Sequence, residues 1–113
     1  MTSHFAKTPA PPYYAVIFTS QRNRDDDKGY ARAAERMVEL AQTMPGFLGA
    51  ESVRDETGLG ITVSYWSDEK AIANWKANSE HVAVRESGNK KWYEHYELRV
   101  ARVERAYDGP QGK

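Results

Sequence analysis

His81 and Arg85 stand four residues apart in the stretch from Gly60 to Arg105, which also holds Trp66, Trp75, Trp92, Tyr93 and Tyr96. Four residues is slightly more than one helical turn, so in a helix the imidazole and the guanidinium share a face. An imidazole that titrates near neutral pH can act as a general base, and a guanidinium beside it can stabilise the anion that forms. This makes His81 a candidate general base and Arg85 a candidate anion stabiliser; the competing reading is a helix-surface pair bonded to Glu80 or Glu86. Trp66, Trp75, Trp92, Tyr93 and Tyr96 are candidates for lining a pocket around a planar aromatic ligand. The core of a small domain is an equally good destination, because aromatic rings bury the most area per residue. His95, flanked by Glu94 and Glu97, reads as a solvated or capping histidine, and His4 falls in a proline-rich arm.

Composition narrows the rest. The 113 residues suffice for one domain with one modest core. Sixteen basic and sixteen acidic side chains cancel, with a pI near 6.8, so no basic excess exists for nucleic acid. The chain has no cysteine, which removes disulfides, thiolate nucleophiles and cysteine metal sites, and three scattered histidines argue against a structural zinc. Asp25, Asp26 and Asp27 are consecutive and cannot easily converge on one metal ion; a helix N-terminus suits them better. The first residues have no apolar core of a secretory signal, and no apolar run approaches the ~18 residues a membrane helix needs. The expectation is a cytoplasmic protein that touches neither membrane nor nucleic acid.

The candidate residues need elements to hold them. Residues 1–12, with Pro9, Pro11 and Pro12, predict a flexible arm, and residues 108–113 a flexible tail, leaving a domain over 13–107. Tyr13 to Ser20 is β-branched and aromatic with apolar residues on both alternating faces, as in a strand covered on both sides. Tyr30, Ala34, Met37, Ala41 and Met44 recur at helical steps, and Pro45-Gly46 ends that helix. Phe47 to Arg54 and Ile61 to Trp66 predict a hairpin about Asp55-Glu56-Thr57-Gly58, with Thr62, Ser64 and Trp66 on one face. Ser67 or Asp68 caps a second helical region that runs to about His95 with a break near Ser87-Gly88-Asn89, and Tyr96 to Ala106 predicts the last strand. In that strand Leu98 and Val100 share one face and Ala101 and Val103 the other, which implies either a bulge or cover on both faces. The order β-α-β-β-α-β is the ferredoxin-like α+β arrangement, a four-stranded antiparallel sheet with helices on one side. The second, still apolar, side of the sheet predicts a homodimer with two sheets facing each other.

Met44-Pro45-Gly46-Phe47-Leu48-Gly49, Tyr65-Trp66, Ala71-Ile72-Ala73-Asn74-Trp75, Glu80-His81 and Trp92-Tyr93, in this order and spacing, resemble the antibiotic biosynthesis monooxygenase family over residues 13–107. The resemblance implies a dimeric α+β barrel in which the last strand of each subunit reaches across to its partner. It also implies either a cofactor-free oxygenase acting on aromatic hydroquinones and phenols or a haem-degrading enzyme. The carry-over of residues is incomplete. Trp66 matches the tryptophan that closes the third strand of the quinone-forming enzymes, and Arg85 matches a later arginine if one gap is allowed. Thr62, Ile72 and Val53 stand where those enzymes carry asparagine, tyrosine and histidine. For the haem-degrading branch Trp75 matches a helical tryptophan, but Phe18 replaces a first-strand asparagine, and Arg85 stands where the axial histidine is expected. The expected activity is cofactor-independent oxygenation of a small aromatic hydroquinone or phenol; a haem-binding, haem-degrading monooxygenase and a non-catalytic dimeric small-ligand-binding or stress protein are the alternatives.

Overall fold

The computed structural model describes residues 5–24 and 26–110, so His4, Asp25 and the last three residues of the expected tail lie outside the described residues. β1 (Tyr13–Arg22), β2 (Phe47–Arg54), β3 (Leu59–Trp66) and β4 (Tyr93–Val103) form one sheet in the order β2-β3-β1-β4, each pair antiparallel. Three helices join them: α1 (Asp27–Gln42) between β1 and β2, then α2 (Glu69–Ala77) and α3 (Ser79–Lys91) between β3 and β4. This is the expected ferredoxin-like α+β fold.

Two boundaries depart from expectation. The helical region breaks at Asn78 and not near Ser87-Gly88-Asn89. Asn78 leaves the helical region (φ −58°, ψ 127°) and its side-chain oxygen accepts from the N–H groups of Glu80 and His81 at 3.0 and 3.1 Å, which starts α3 afresh. Gly88 does not end α3, because the rings of Tyr93 and Trp92 take up the room beside it: a Cβ there would meet them at 3.1 and 3.3 Å. β4 begins at Tyr93, three residues before the expected Tyr96, and ends at Val103. Its phase shift needs no bulge between Val100 and Ala101, since pairing with β1 is regular from His95 to Val103 and the one irregularity lies at Gln21/Arg22.

Caps and turns follow local chemistry. The Asp26 carboxylate accepts from Gly29 N at the start of α1, and Asp68 accepts from Ala71 N at 2.7 Å at the start of α2. Gly46 follows α1 with φ +86°, and a Cβ there would lie 2.5 Å from the Ala71 methyl, so this turn brings α2 against the start of β2 only with glycine. Along the α1 stripe Ala41 is buried and Tyr30, Met37 and Met44 are half-buried, whereas Ala34 is exposed.

Trp66 stacks on Trp75 of α2, which identifies the helix-facing side of the sheet. Cross-strand register puts Val16, Phe18 and Ser20 of β1, Thr62 and Ser64 of β3, Arg54 of β2, and Leu98 and Val100 of β4 on that same side. The opposite side carries Tyr13, Ala15, Ile17, Val53, Ile61 and Tyr65. Tyr13 and Ala15 are buried there, next to the described part of the N-terminal segment. In that segment Ala6 N donates to the Glu51 carboxylate at 2.9 Å and the Thr8 hydroxyl donates to the Tyr13 phenol at 3.0 Å. Tyr65 donates to Glu51 at 2.7 Å; burial first, then this carboxylate, pushes its phenol up to about 12. Farther along the same face Val53, Leu59 and Ile61 are exposed, Val53 by 71%.

Arg54 joins the two halves of the sheet. Its Nη2 donates to Ser20 Oγ at 2.9 Å and to the Tyr30 hydroxyl at 3.1 Å, and its Nη1 reaches the Gly58 and Ser20 carbonyls. The guanidinium crosses directly over Gly60, where a Cβ would lie 2.7 Å from Cζ. Arg54→Met would remove the guanidinium's bonds to Ser20 Oγ, the Ser20 carbonyl and the Tyr30 hydroxyl, while the Gly58 carbonyl keeps the Arg22 N–H as donor. We expect it to lower stability by about 1–3 kcal/mol, and Arg54→Lys by a similar amount because one ammonium cannot span the same partners; urea midpoints at constant m-value check this.

Candidate functional site

Chemistry at His81 starts with the helix break. Because the chain turns out of helix at Asn78, the Trp75 carbonyl is not consumed by an ordinary intrahelical bond. It accepts from Asn78 N at 3.1 Å and from His81 Nδ1 at 2.8 Å. A carbonyl can only accept, so Nδ1 carries the proton and the neutral ring presents a bare Nε2. The imidazole lies flat on the Trp75 indole, centroids 4.3 Å apart and planes inclined by 17°. Trp75 lies in turn on Trp66, at 5.8 Å and 29°, and Trp66 meets Phe47 edge-on at 5.2 Å.

Burial holds the His81 imidazolium below its ordinary range; the Trp75 carbonyl opposes this, and the charge of Arg85 adds to it. His81 is therefore neutral at pH 7, with Nε2 able to accept a proton. The direction has a consequence for stability. The unfolded chain binds this proton near pH 6.5, whereas the folded chain binds it only at lower pH. Stability from this group is thus present above about 6.5 and declines as the pH falls from there toward the folded-state value. We expect His81→Gln to flatten the fall in urea midpoint between pH 6.5 and 5, relative to the unmutated chain.

The first turn of α3 is held from outside as well. Arg36 of α1 grips the Glu80 carboxylate with two nitrogens, one of them at 2.9 Å, and keeps that carboxyl below its usual range. Glu80 is thereby committed to Arg36 and does not pair with Arg85. Arg85 is half-buried and forms no ion pair or hydrogen bond among the described residues.

Trp92, Tyr93 and Tyr96 gather elsewhere. Tyr93 and Tyr96 both contact Phe18, at 5.4 and 5.3 Å, and Tyr30 of α1 meets Trp92 and Tyr93 edge-on. Tyr30 shares a hydrogen bond with Tyr93, accepts from Arg54, and lies under the Arg22 guanidinium at 3.9 Å. Burial, then the neighbouring Tyr30, pushes the Tyr93 phenol far up, so it remains a hydrogen-bond donor at any ordinary pH. The distance from His81 to this cluster follows α3, eleven residues from His81 to Trp92, or roughly 16 Å. The residues expected to form one pocket are therefore two groups at opposite ends of the helix-facing side.

Between the groups the helices do not seal the sheet. Val16, Phe18, Thr62 and Ser64 lie on the two central strands beneath the helices, yet all are half-buried, and Leu98 and Val100 beside them are exposed by 54% and 50%. The helix-facing side is thus incompletely covered along β4. On β3 this side is polar: Thr62 exchanges a hydrogen bond with Ser52 at 2.7 Å, and Ser64 accepts from Trp66 Nε1 at 2.9 Å. Across β1 and β4 it is apolar, with Val16, Phe18, Leu98 and Val100.

Trp66 has no exposed surface and stacks on Trp75, and Trp92 is 7% exposed, so both indoles are interior in this structure. Phe18, Thr62, Ser64, Tyr30 and Arg54, which the sequence did not single out as site residues, lie beside the two groups on the helix-facing side. Alternation in β3 marks Thr62 and Ser64 as companions of Trp66; no local signal marks Arg54, which reaches Ser20 two strands away by crossing over Gly60.

Comparison with known proteins agrees with this architecture. The model of the antibiotic biosynthesis monooxygenase family matches residues 13–87. The uncharacterized protein YqjZ of Bacillus subtilis is 54% identical over 105 residues, covering 93% of this chain and 91% of that one. A jasmonate monooxygenase of Pyricularia oryzae is 28% identical over 94 residues, 80% of this chain but only 43% of that protein. Among solved structures, SnoaB from Streptomyces nogalater, a cofactor-independent oxygenase, aligns with a TM-score of 0.72 over 85% of this chain and 97% of its own. Protein SO0527 of Shewanella oneidensis aligns at 0.73 over 84% and 94%. At 10% and 9% identity these two likenesses establish the fold alone. The family model and the extended identity to YqjZ establish that the chain belongs to the antibiotic biosynthesis monooxygenase family.

Proposed function

We propose that the protein is a homodimeric oxygenase that converts a small phenol or hydroquinone to a quinone without a cofactor. The observation that carries this reading is the state of His81: neutral, its Nδ1–H tied to the Trp75 carbonyl, its Nε2 free to act as a base beside an uncommitted Arg85. In this scheme Nε2 takes the phenolic proton. The phenolate gives one electron to O₂, the radical pair joins at the ring carbon opposite the oxygen, and loss of water leaves the second carbonyl. A phenol and O₂ thus become a quinone and H₂O. Arg85 stabilises the phenolate, Trp75 and Tyr93 exclude water at either end of the helix-facing side, and the hydroxyls of Thr62 and Ser64 lie on the strand between them.

Two further features support parts of this reading. SnoaB is described as cofactor-independent, and it shares the fold. Val53, Leu59 and Ile61 on one side of the sheet and Leu98 and Val100 along edge strand β4 form apolar surface that a second copy would cover. Haem fits poorly: Phe18, at the first-strand position, offers no hydrogen bond and is packed against Tyr93 and Tyr96, and the His81 ring is pressed flat on Trp75.

Incubation with anthrone, whose enol is a phenol with a free carbon opposite the oxygen, under ¹⁸O₂, followed by mass spectrometry, tests the proposal. One ¹⁸O atom in the quinone, at a rate above buffer, is expected. Binding without incorporation would make the domain a ligand-binding protein.

A further inference from the structure

We infer that Asn78 is a positioning residue for His81: by breaking the helix and capping α3 it releases the Trp75 carbonyl, and this carbonyl holds the imidazole in the tautomer with a bare Nε2. The inference rests on His81 serving as the base. Four contacts converge on the asparagine. Its Oδ1 accepts from Glu80 N and His81 N at 3.0 and 3.1 Å, its own N–H donates to the Trp75 carbonyl at 3.1 Å, and its Nδ2 lies 3.9 Å from Met44 Sδ. The last contact orients the amide, so that the oxygen and not the nitrogen faces the helix N–H groups.

The geometry matters because it works against two ordinary tendencies. A histidine side chain in water favours the opposite tautomer, with the proton on Nε2. In an uninterrupted helix the Trp75 carbonyl would be taken by the N–H four residues on, and His81, six residues on, would lie on a different face from Trp75. The kink at Asn78 brings the two rings into a stack at 4.3 Å and the ring nitrogen to 2.8 Å from the carbonyl at once. His81 is also the third residue of α3, where the positive end of the helix dipole further disfavours imidazolium. Asn78 therefore selects both which nitrogen is basic and when it is unprotonated, without touching a substrate.

The test is ¹⁵N NMR of the histidine side chains in the full chain, with His81 assigned from the loss of its signals in His81→Gln. In the unmutated protein Nδ1 should be protonated and Nε2 bare at pH 7.5. Asn78→Ala should mix the tautomers and move the His81 titration back toward 6.5, while Asn78→Ser, which keeps an acceptor at the cap, should restore both. If a substrate is in hand, kcat of Asn78→Ala should fall about tenfold with KM little changed, as expected for a base held less well. An Nε2–H tautomer in the unmutated protein would overturn the inference without any variant, which matters if Asn78→Ala does not fold. A folded Asn78→Ala variant with unchanged tautomer and titration would also overturn it. Because the spectra need no turnover, they remain decisive even if the oxygenase reading fails.

Discussion

With His81 as the proposed base, replacing it by alanine should lower the rate of quinone formation by about 10²–10⁴-fold, the range that a positioned general base contributes. The loss should fall on kcat, because in the proposed scheme the imidazole acts on the phenolic proton and contributes little to ground-state binding. His81→Phe separates chemistry from packing: it can keep a ring on Trp75, where the centroids now stand 4.3 Å apart, but has no lone pair. Both variants should lose the rate equally. The surviving activity of either should also lose its acid limb, which in the unmutated protein lies below pH 6.5, because burial holds the imidazolium below its ordinary range. A rate that survives in both variants would mean that proton removal occurs elsewhere or in solvent.

Trp66→Ala should be the most damaging single change to the fold. Trp66 is completely buried, stacked on Trp75, edge-on to Phe47, and satisfied at its indole nitrogen by Ser64. Truncating such a side chain typically costs about 3–5 kcal/mol, a large share of the ~5–15 kcal/mol that keeps a domain folded. The buried apolar set among the described residues is small, namely Tyr13, Ala15, Ala41, Trp66, Ala71 and Trp92. Little else could absorb the cavity. Denaturant unfolding should therefore show a strongly reduced midpoint, whereas Trp75→Ala, with a half-exposed indole, should cost less and act mainly on His81 through its lost stacking partner. Equal destabilisation by the two substitutions would contradict this division between a core tryptophan and a site tryptophan.

Patterning made the architecture legible. Alternation in β1 and β3, helical steps from Tyr30 to Met44 and the Pro45-Gly46 stop are local signals, and each produced the element it implied. Two errors share one cause. Gly88 reads as a helix breaker, yet it is a contact for the Tyr93 and Trp92 rings, a tertiary reason invisible in the chain. Asn78-Ser79-Glu80 carries a capping signal, but the flanking residues favour helix and mask it. The site was legible as a set of residue types and not as a place. His81 and Trp75 meet because the helix kinks between them, and Trp92, Tyr93 and Tyr96 lie away from them because α3 is straight. Phe18, Thr62 and Arg54, beside these groups, come from strands distant in the chain, joined only by sheet register.

The most direct measurement is an anaerobic spectroscopic titration of a dihydroanthraquinol with the protein at pH 6.5, below the phenol's own ionisation. The account predicts phenolate absorption that grows in proportion to added protein, vanishes in His81→Ala, and converts to quinone when O₂ is admitted. A bound ligand whose spectrum stays that of the neutral phenol, or phenolate that forms equally well in His81→Ala, would contradict it.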